Sequence, residues 1–182
     1  MSFVHLHVHS HYSLLDGLGS PADIVRRAKE HGAPAVALTD HGNMYGAVEF
    51  FKAAKAEGIK PIVGCEIYVA TRTRFDKTAG VDVRPYHMTL LAEPNEGYQN
   101  LLKLVTKANL EGFYYKPRVD EGLLKAYGKG IIALSGCLMG ELPRNILSGN
   151  MDAAIDRVKV WREIFGKDNY FLEVQDRGMS DE

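Results

Sequence analysis

Ala33-Pro34-Ala35-Val36-Ala37-Leu38-Thr39 is an uninterrupted run of small and apolar residues that stops at Asp40-His41-Gly42. A half-solvated strand would alternate apolar with polar side chains, so this run fits a strand covered on both faces, as in a parallel sheet. Just before it, Ser20-Pro21-Ala22-Asp23 has the chemistry of a helix start. Ser20 is placed to cap, Pro21 suits the first helical position, and Asp23 completes a capping-box-like pair, with the helix running to about Glu30. Further out, Phe3 to Val8 is the predicted first strand, joined to that helix by the Gly-rich turn Asp16-Gly17-Leu18-Gly19.

Downstream, the pattern predicts a helix from about Met44 to Glu57, a third strand over Pro61–Val69 and a mobile polar loop from Thr71 to Arg84. A fourth strand over Tyr86–Leu91, a helix over Gly97–Ala108, a fifth strand over Gly130–Ser135, a helix over Asp152–Phe165 and a sixth strand over Tyr170–Val174 follow. Strand and helix alternate with no fixed-period repeat, which predicts an α/β domain of right-handed βα units closing into a barrel or an open doubly wound sheet. The chain ends at Glu182, soon after the sixth strand and with no helix to cover it, so the expectation is the front part of something longer.

The chain has 182 residues, 46% of them hydrophobic and 25% charged, which excludes disordered, collagen-like and coiled-coil classes. Lys and Arg total 22 against 23 Asp and Glu, so any nucleic-acid contact must be local rather than a broadly basic surface. No run of about 18 apolar residues occurs, and MSFVHLHVHS lacks a charged n-region and an apolar h-region, so a membrane span and a secretory signal are excluded and a cytoplasmic location is expected. Cys65 and Cys137 are too few for a disulfide framework and suit a reducing compartment.

His5, His7, His9 and His11 fall at alternate positions at the chain start. Side chains two apart on a strand share a face about 6.6–7 Å apart, so His7 and His9 can reach one metal. A single strand histidine is ordinarily a packed residue; a cluster at the C-terminal end of a strand, where α/β folds bind ligands, asks for more. Asp16, His41, Glu66, His87 and Cys137 each fall in the C-terminal half of a predicted strand or just past it, so parallel strands would bring them to one rim. Imidazole, carboxylate and one thiol point to zinc, with manganese or iron as alternatives, and more than four such ligands imply more than one ion. A multinuclear site clamps the attacking water and the leaving oxygen of a phosphoester, so phosphate-ester hydrolysis is the chemistry implied.

Val4-His5-Leu6-His7-Val8-His9-Ser10, Tyr12-Ser13-Leu14-Leu15-Asp16-Gly17, Thr39-Asp40-His41-Gly42-Asn43-Met44-Tyr45-Gly46, Gly58 to Glu66 and Leu134-Ser135-Gly136-Cys137 together closely resemble the PHP (polymerase and histidinol phosphatase) domain. The version resembled is the one at the N-terminus of the alpha subunit of bacterial replicative C-family DNA polymerases, and the resemblance covers residues 1–182 as a single domain. It implies a distorted seven-stranded, TIM-like βα barrel, here truncated after about six strands, with a cleft for up to three divalent ions. Carried over by position, His7, His9 and Glu66 would bind a first ion. Glu66 would bridge to a second held by His87 and Cys137, and Asp16 with His41 would hold a third. The family's last motif, an Asp and a His on the seventh strand, would lie beyond Glu182, leaving the first and third sites each short of a ligand.

The resemblance further implies a metal-dependent phosphoesterase domain with 3′–5′ exonuclease activity in the full protein, His9 and Glu66 being its catalytic residues. Implied partners are the primer 3′ end of DNA, the other domains of the polymerase alpha subunit and a proofreading subunit. Two rivals remain: a non-catalytic, metal-stabilised module of the polymerase, and a histidinol-phosphate-type phosphatase, which the match over Tyr12–Gly17 and Asn43–Phe50 disfavours.

Other residues read more plainly. His5 lies down the strand from the rim as a packed or supporting residue, His11 sits in a turn, and His31 suits a helix C-terminus. Cys65, next to Glu66, should face away from the cleft toward a helix. Asp40 could orient an imidazole or cap the following helix. Phe113-Tyr114-Tyr115-Lys116-Pro117-Arg118 mixes aromatics with cations, a recipe for stacking on unpaired bases and neutralising phosphate; the competing reading is a Pro-bounded loop packed on the barrel. Arg72, Arg74, Lys77 and Arg84 could meet DNA or be solvated.

Overall fold

The computed structural model describes residues 3–175. Helix α1 (Pro21–Glu30) starts as expected: Ser20 Oγ accepts from the Asp23 backbone N–H at 3.1 Å, and the Asp23 carboxylate accepts from the Ser20 N–H at 3.1 Å. Together they satisfy two otherwise unpaired helix-end donors. Strand β1 (Ala35–Leu38) is buried along its whole length, and α2 (Ala47–Glu57) follows, closed by Gly58 in the left-handed region. Val25 and Ala28 of α1, Phe50 and Ala54 of α2 and Val36 and Leu38 of β1 make one buried cluster, so these two helices cover β1.

Strand β2 (Lys60–Val69) is the spine of the sheet. Its first half pairs in parallel with β1, from Ala35↔Lys60 to Leu38↔Val63. Its second half pairs antiparallel with β3 (Tyr86–Ala92), with Glu66 opposite Thr89. After α3 (Pro94–Leu110), the two-residue β4 (Arg118–Val119) lies parallel to the end of β2, and α4 (Glu121–Tyr127) leads to β5 (Ile131–Leu134), antiparallel to β3. Helices α5 (Glu141–Leu147) and α6 (Met151–Phe165) precede β6 (Tyr170–Phe171), parallel to β5.

Alternation along β2 and β3 decides which face is core. Cys65, Ile67 and Val69 with Met88 and Leu90 face Leu101, Leu104, Leu124, Trp161 and Phe165, the larger buried cluster. The opposite face carries Glu66, Tyr68, His87 and Thr89, so polar chemistry is confined to the inside of the curved sheet. Cys65 therefore faces a helix, as expected, its thiol donating to the Asp40 carbonyl.

Several expectations are corrected. Residues 3–8 form an extended segment rather than a ladder strand. Their carbonyls at His5 and Val8 accept from Ala37 and Thr39, three residues matched to two, and the Thr39 hydroxyl takes the Val8 N–H at 2.8 Å, so no regular register propagates. The strands are not all parallel: β3 runs against both neighbours, because the chain turns back from β2 through a loop without the crossover helix that parallel pairing needs. That loop, expected to be mobile, is clamped. Arg72 pairs with the buried Asp82, Arg74 pairs with Glu111 and Asp120, and Arg118 reaches the loop's carbonyls. The sixth strand is shorter than expected, and β4, α4 and α5 are additional elements. The expected seventh-strand motif lies outside the described residues.

Candidate metal centre

Four segments converge inside the sheet. His7 and His9 come from the N-terminal segment, His41 from the turn after β1, Glu66 from β2 and His87 from β3. His41 is brought beside Glu66 because the β1–β2 pairing continues as an isolated parallel bridge between these two residues. His87 shares a face with Thr89, the residue opposite Glu66, and so lies diagonally across from the carboxylate. The turn after β5 tucks under His87, whose N–H donates to the Met139 carbonyl at 3.1 Å. That approach needs Gly136: its φ is +83°, and a Cβ there would sit 2.6 Å from the His87 carbonyl oxygen. This turn places Cys137 Sγ at 3.9 Å from Glu66 Oε1.

Glu66, only 1% exposed, is the hub. His7 Nε2, His9 Nε2 and His41 Nδ1 each lie 3.0 Å from Oε2, and His87 Nδ1 lies 2.7 Å from Oε1. Burial by itself would raise the Glu66 carboxyl, but hydrogen bonds from His41, His7, His87 and His9 outweigh it and hold the group far below the usual carboxylate range. His41 bridges outward through Nε2 to Asp16 Oδ2 at 2.8 Å, the Asp16 side chain being half exposed at the cleft mouth. Burial opposes protonation of His41, yet Glu66 and Asp16 raise its pKa.

The turn carrying Asp16 is organised by Asp40. This buried carboxylate accepts from the Ser10 N–H, the Ser10 hydroxyl and the Ser13 hydroxyl at 2.7, 2.8 and 2.7 Å. Its role is thus neither to orient an imidazole nor to cap a helix, the two sequence readings. Ser13 Oγ in turn accepts from the His41 N–H, tying the Asp16 turn to the His41 turn.

Glu173, just past β6, was not singled out by sequence. Its Oε1 lies 2.6 Å from His7 Nδ1, and its backbone N–H donates to Ser135 Oγ. Burial works against it, but Glu173 and Glu66 raise His7 to about 9. The available signal was position: a carboxylate at the end of the last strand.

All seven residues expected at the site are brought to one cleft of about 1140 Å³. His7, His9 and Glu66; His9, Asp16 and His41; and His41, Glu66 and His87 each place three donor atoms within 4.8 Å of one another. Cys137 lines the same cleft outside these triplets, and His9, His41 and Glu66 each belong to two of them. Among the described residues His9 Nδ1 and Glu173 Oε2 are buried without a hydrogen-bond partner, and three ring nitrogens converge on one carboxylate oxygen. A surplus of lone-pair donors over available protons fits a divalent metal centre. His5, expected to be a packed or supporting residue, is instead exposed, lining the cleft beside Phe3.

Arg118 is fully buried, its guanidinium donating to the carbonyls of Gly112, Asp82, Arg74 and Asp76, so it is unavailable to phosphate. Lys116 Nζ instead lies 5.3 Å from the centre of the Tyr68 ring.

A family model described as "PHP domain" matches residues 5–177. The chain is 54% identical over 183 residues to DNA polymerase III subunit alpha of Treponema pallidum (strain Nichols), covering 100% of this chain and 16% of that protein. The counterpart from Thermus aquaticus is 47% identical over 186 residues, covering 100% and 15%. The chain thus spans about one sixth of the length of these curated relatives. Among solved structures, a Bifidobacterium adolescentis protein named as a candidate metal-dependent phosphoesterase superposes with a TM-score of 0.55 at 16% identity, covering 96% of this chain and 78% of that one. An amidohydrolase from Chromobacterium violaceum gives 0.52 at 15% identity, covering 95% and 86%, which supports the mixed α/β, TIM-like architecture.

Proposed function

The chain belongs to the PHP domain family, and on that premise we propose that it is the metal-dependent phosphoesterase domain of a bacterial replicative DNA polymerase alpha subunit. Its reaction is 3′–5′ exonucleolytic removal of nucleotides from DNA. The observation that carries this reading is the buried Glu66 carboxylate met by four imidazoles, with Asp16 and Cys137 at its edge. The likeness of the whole of this chain to about one sixth of bacterial alpha subunits supplies the polymerase context.

The ligand set is His7, His9, Asp16, His41, Glu66, His87 and Cys137, and the ion assigned is zinc, with manganese or iron as the alternative. Such ions, when bound, lower the pKa of water and neutralise charge on a phosphodiester during in-line displacement. The chain's own contribution is placement. Glu66 presents one oxygen to His7, His9 and His41 and the other to His87, so the two sets of imidazoles are held on opposite sides of one carboxylate. Glu173 holds His7 by Nδ1, which leaves Nε2 aimed at the centre of the cleft. Asp16, half exposed, lies where a DNA 3′ end would enter. Partners in this reading are the primer terminus, the remaining alpha-subunit domains and a proofreading subunit, and the setting is the cytoplasm. No helix among the described residues is long and apolar enough to cross a membrane.

Elemental analysis of the purified chain, beside assays of primer 3′-end removal and of p-nitrophenyl phosphate turnover, tests this. Bound divalent metal in the chain, and primer shortening by the full alpha subunit that His9→Ala or Glu66→Ala abolishes, are expected. Turnover of the small monoester with indifference to DNA would replace the reading with a histidinol-phosphate-type phosphatase. Bound metal without either activity would leave a structural module.

A further inference from the structure

The loops 71–84 and 111–118 lie against each other, and three of their cations are already engaged. Arg72 is paired with Asp82, Arg74 with Glu111 and Asp120, and Arg118 with four backbone carbonyls. Lys116 makes no ion pair among the described residues, and its ammonium instead sits over the Tyr68 ring. That ring is stacked on His41 at 5.9 Å between centroids and meets the His87 ring edge-on at 5.0 Å. One aromatic ring therefore separates an uncompensated cation from two imidazoles of the metal centre. The neighbouring Pro117 seats the loop on the His41 turn: a Cβ at Gly42 would lie 2.8 Å from Pro117 Cγ and 3.1 Å from Tyr68.

Tyr115, beside Lys116, forms the apex of a tight reversal closed by the Tyr114 N–H donating to the Lys116 carbonyl at 3.0 Å. Its φ is +57°, the only positive φ at a non-glycine residue among those described, and its ring is 70% exposed. A bulky side chain held in the left-handed region and turned to solvent is poorly explained by stability, since glycine would take that conformation without strain. Arg118, locked beneath the reversal and facing Tyr114 at 5.3 Å, makes the apex a rigid platform.

We propose that the Tyr114–Lys116 reversal is a binding subsite for unpaired nucleotides of a single-stranded polynucleotide, Lys116 taking a backbone phosphate beside the metal centre and Tyr115 stacking on a base. This assignment rests on the reading of the cleft as a phosphoester site and selects a polynucleotide over a small phosphomonoester as its substrate class. An exposed aromatic next to a free cation is the combination that binds single strands without sequence preference.

The test uses the chain with a 5′-fluorescein oligothymidylate carrying phosphorothioate terminal linkages, followed by anisotropy across a potassium chloride series. Lys116→Ala should weaken binding and reduce the slope of log K against log salt by about 0.7, the loss of one single-strand phosphate contact. Tyr115→Gly should weaken binding at least about fivefold while its melting temperature stays at or above that of the parent, and Tyr115→Phe should restore binding. The same oligonucleotide made abasic should no longer distinguish Tyr115→Gly from the parent. Unchanged affinity and slope in both variants, or no binding by the parent chain, overturns the subsite. Hydrolysis of bis(p-nitrophenyl) phosphate is measured separately: its absence in the parent counts against the phosphoesterase reading, while the anisotropy still decides the loop.

Discussion

Glu173 shows how one side chain can set the chemistry of another. A histidine ligand works through one nitrogen, and the partner of the other nitrogen fixes the ring's tautomer and orientation. With Glu173 Oε1 at 2.6 Å from Nδ1, His7 is constrained to offer Nε2 to the cleft. Glu173→Leu should lower divalent-metal affinity about 10- to 100-fold, whereas Glu173→Gln, which keeps an acceptor, should lose less. Competition against a chromophoric chelator measures both, and equal affinities in all three proteins would show that His7 needs no such partner. Glu66 is the harsher case. It is buried under four imidazoles, so Glu66→Ala should abolish metal binding and destabilise the metal-free chain by about 3 kcal/mol, read by urea unfolding.

The loop between β2 and β3 carries its own electrostatic lock. The Arg72 guanidinium, through its hydrogen bonds, holds the Asp82 carboxyl down to about 2 against an opposing effect of burial. A carboxyl whose folded pKa lies below its unfolded value stabilises the fold above the unfolded pKa, about 3.9 for Asp, and loses that contribution as pH falls through the folded one. Asp82→Asn should therefore be less stable than the parent at neutral pH, with the gap closing between about pH 4 and pH 2. Carbon NMR of the Asp82 carboxyl should titrate near 2, and a midpoint near 4 would mean the clamp is not made in solution. Arg118→Lys, which cannot reach four carbonyls in one plane, should cost about 3 kcal/mol and increase hydrogen exchange in both loops. Local chemistry explains what the sequence revealed at this scale. The Ser20–Asp23 box marks its helix unaided, and the continuous apolar run of β1 states its burial. Period and composition carry no direction, however, so β3 read as a strand without its antiparallel sense. Arg118 read only as one cation of a segment that could neutralise phosphate or pack on the barrel, because nothing around it in the chain announces the carbonyls of Arg74, Asp76 and Asp82 that enclose it. The seven candidate ligands were legible by residue type and motif, but the rule of position at the C-terminal ends of parallel strands fails for His87, which stands at the start of the antiparallel β3, and for His7 and His9, whose segment forms no ladder strand. Glu173, past β6, had no histidine or motif to draw notice.

At the scale of the molecule, the candidate metal centre ties a sparsely bonded N-terminal segment to strands that are already paired with one another. The N-terminal residues with His7 and His9 are fastened to β1 by only a handful of hydrogen bonds around Thr39 and the Ala37 N–H, yet they reach Glu66 on β2 and Glu173 past β6. His87 and Cys137 link β3 and the turn after β5 to the same carboxylate. An ion bound only by the folded state stabilises it by about 2.7 kcal/mol when present at 100 times its Kd. Two such sites would add about 5 kcal/mol, which for a chain of this size moves the melting temperature by about 10–20 °C. Chelation should therefore lower the melting temperature by that order, zinc should restore it, and the restoration should fail in Glu66→Ala while persisting in Tyr115→Gly. Hydrogen exchange adds the location: on chelation, amides of residues 5–9 and of the Ser10–Gly17 turn should lose protection before those of β2 and β3, which have a ladder and a helix-covered core of their own. A melting temperature indifferent to chelator, with uniform exchange, would mean that the four imidazoles around Glu66 are satisfied by the carboxylate alone, and the phosphoesterase reading would lose its physical basis.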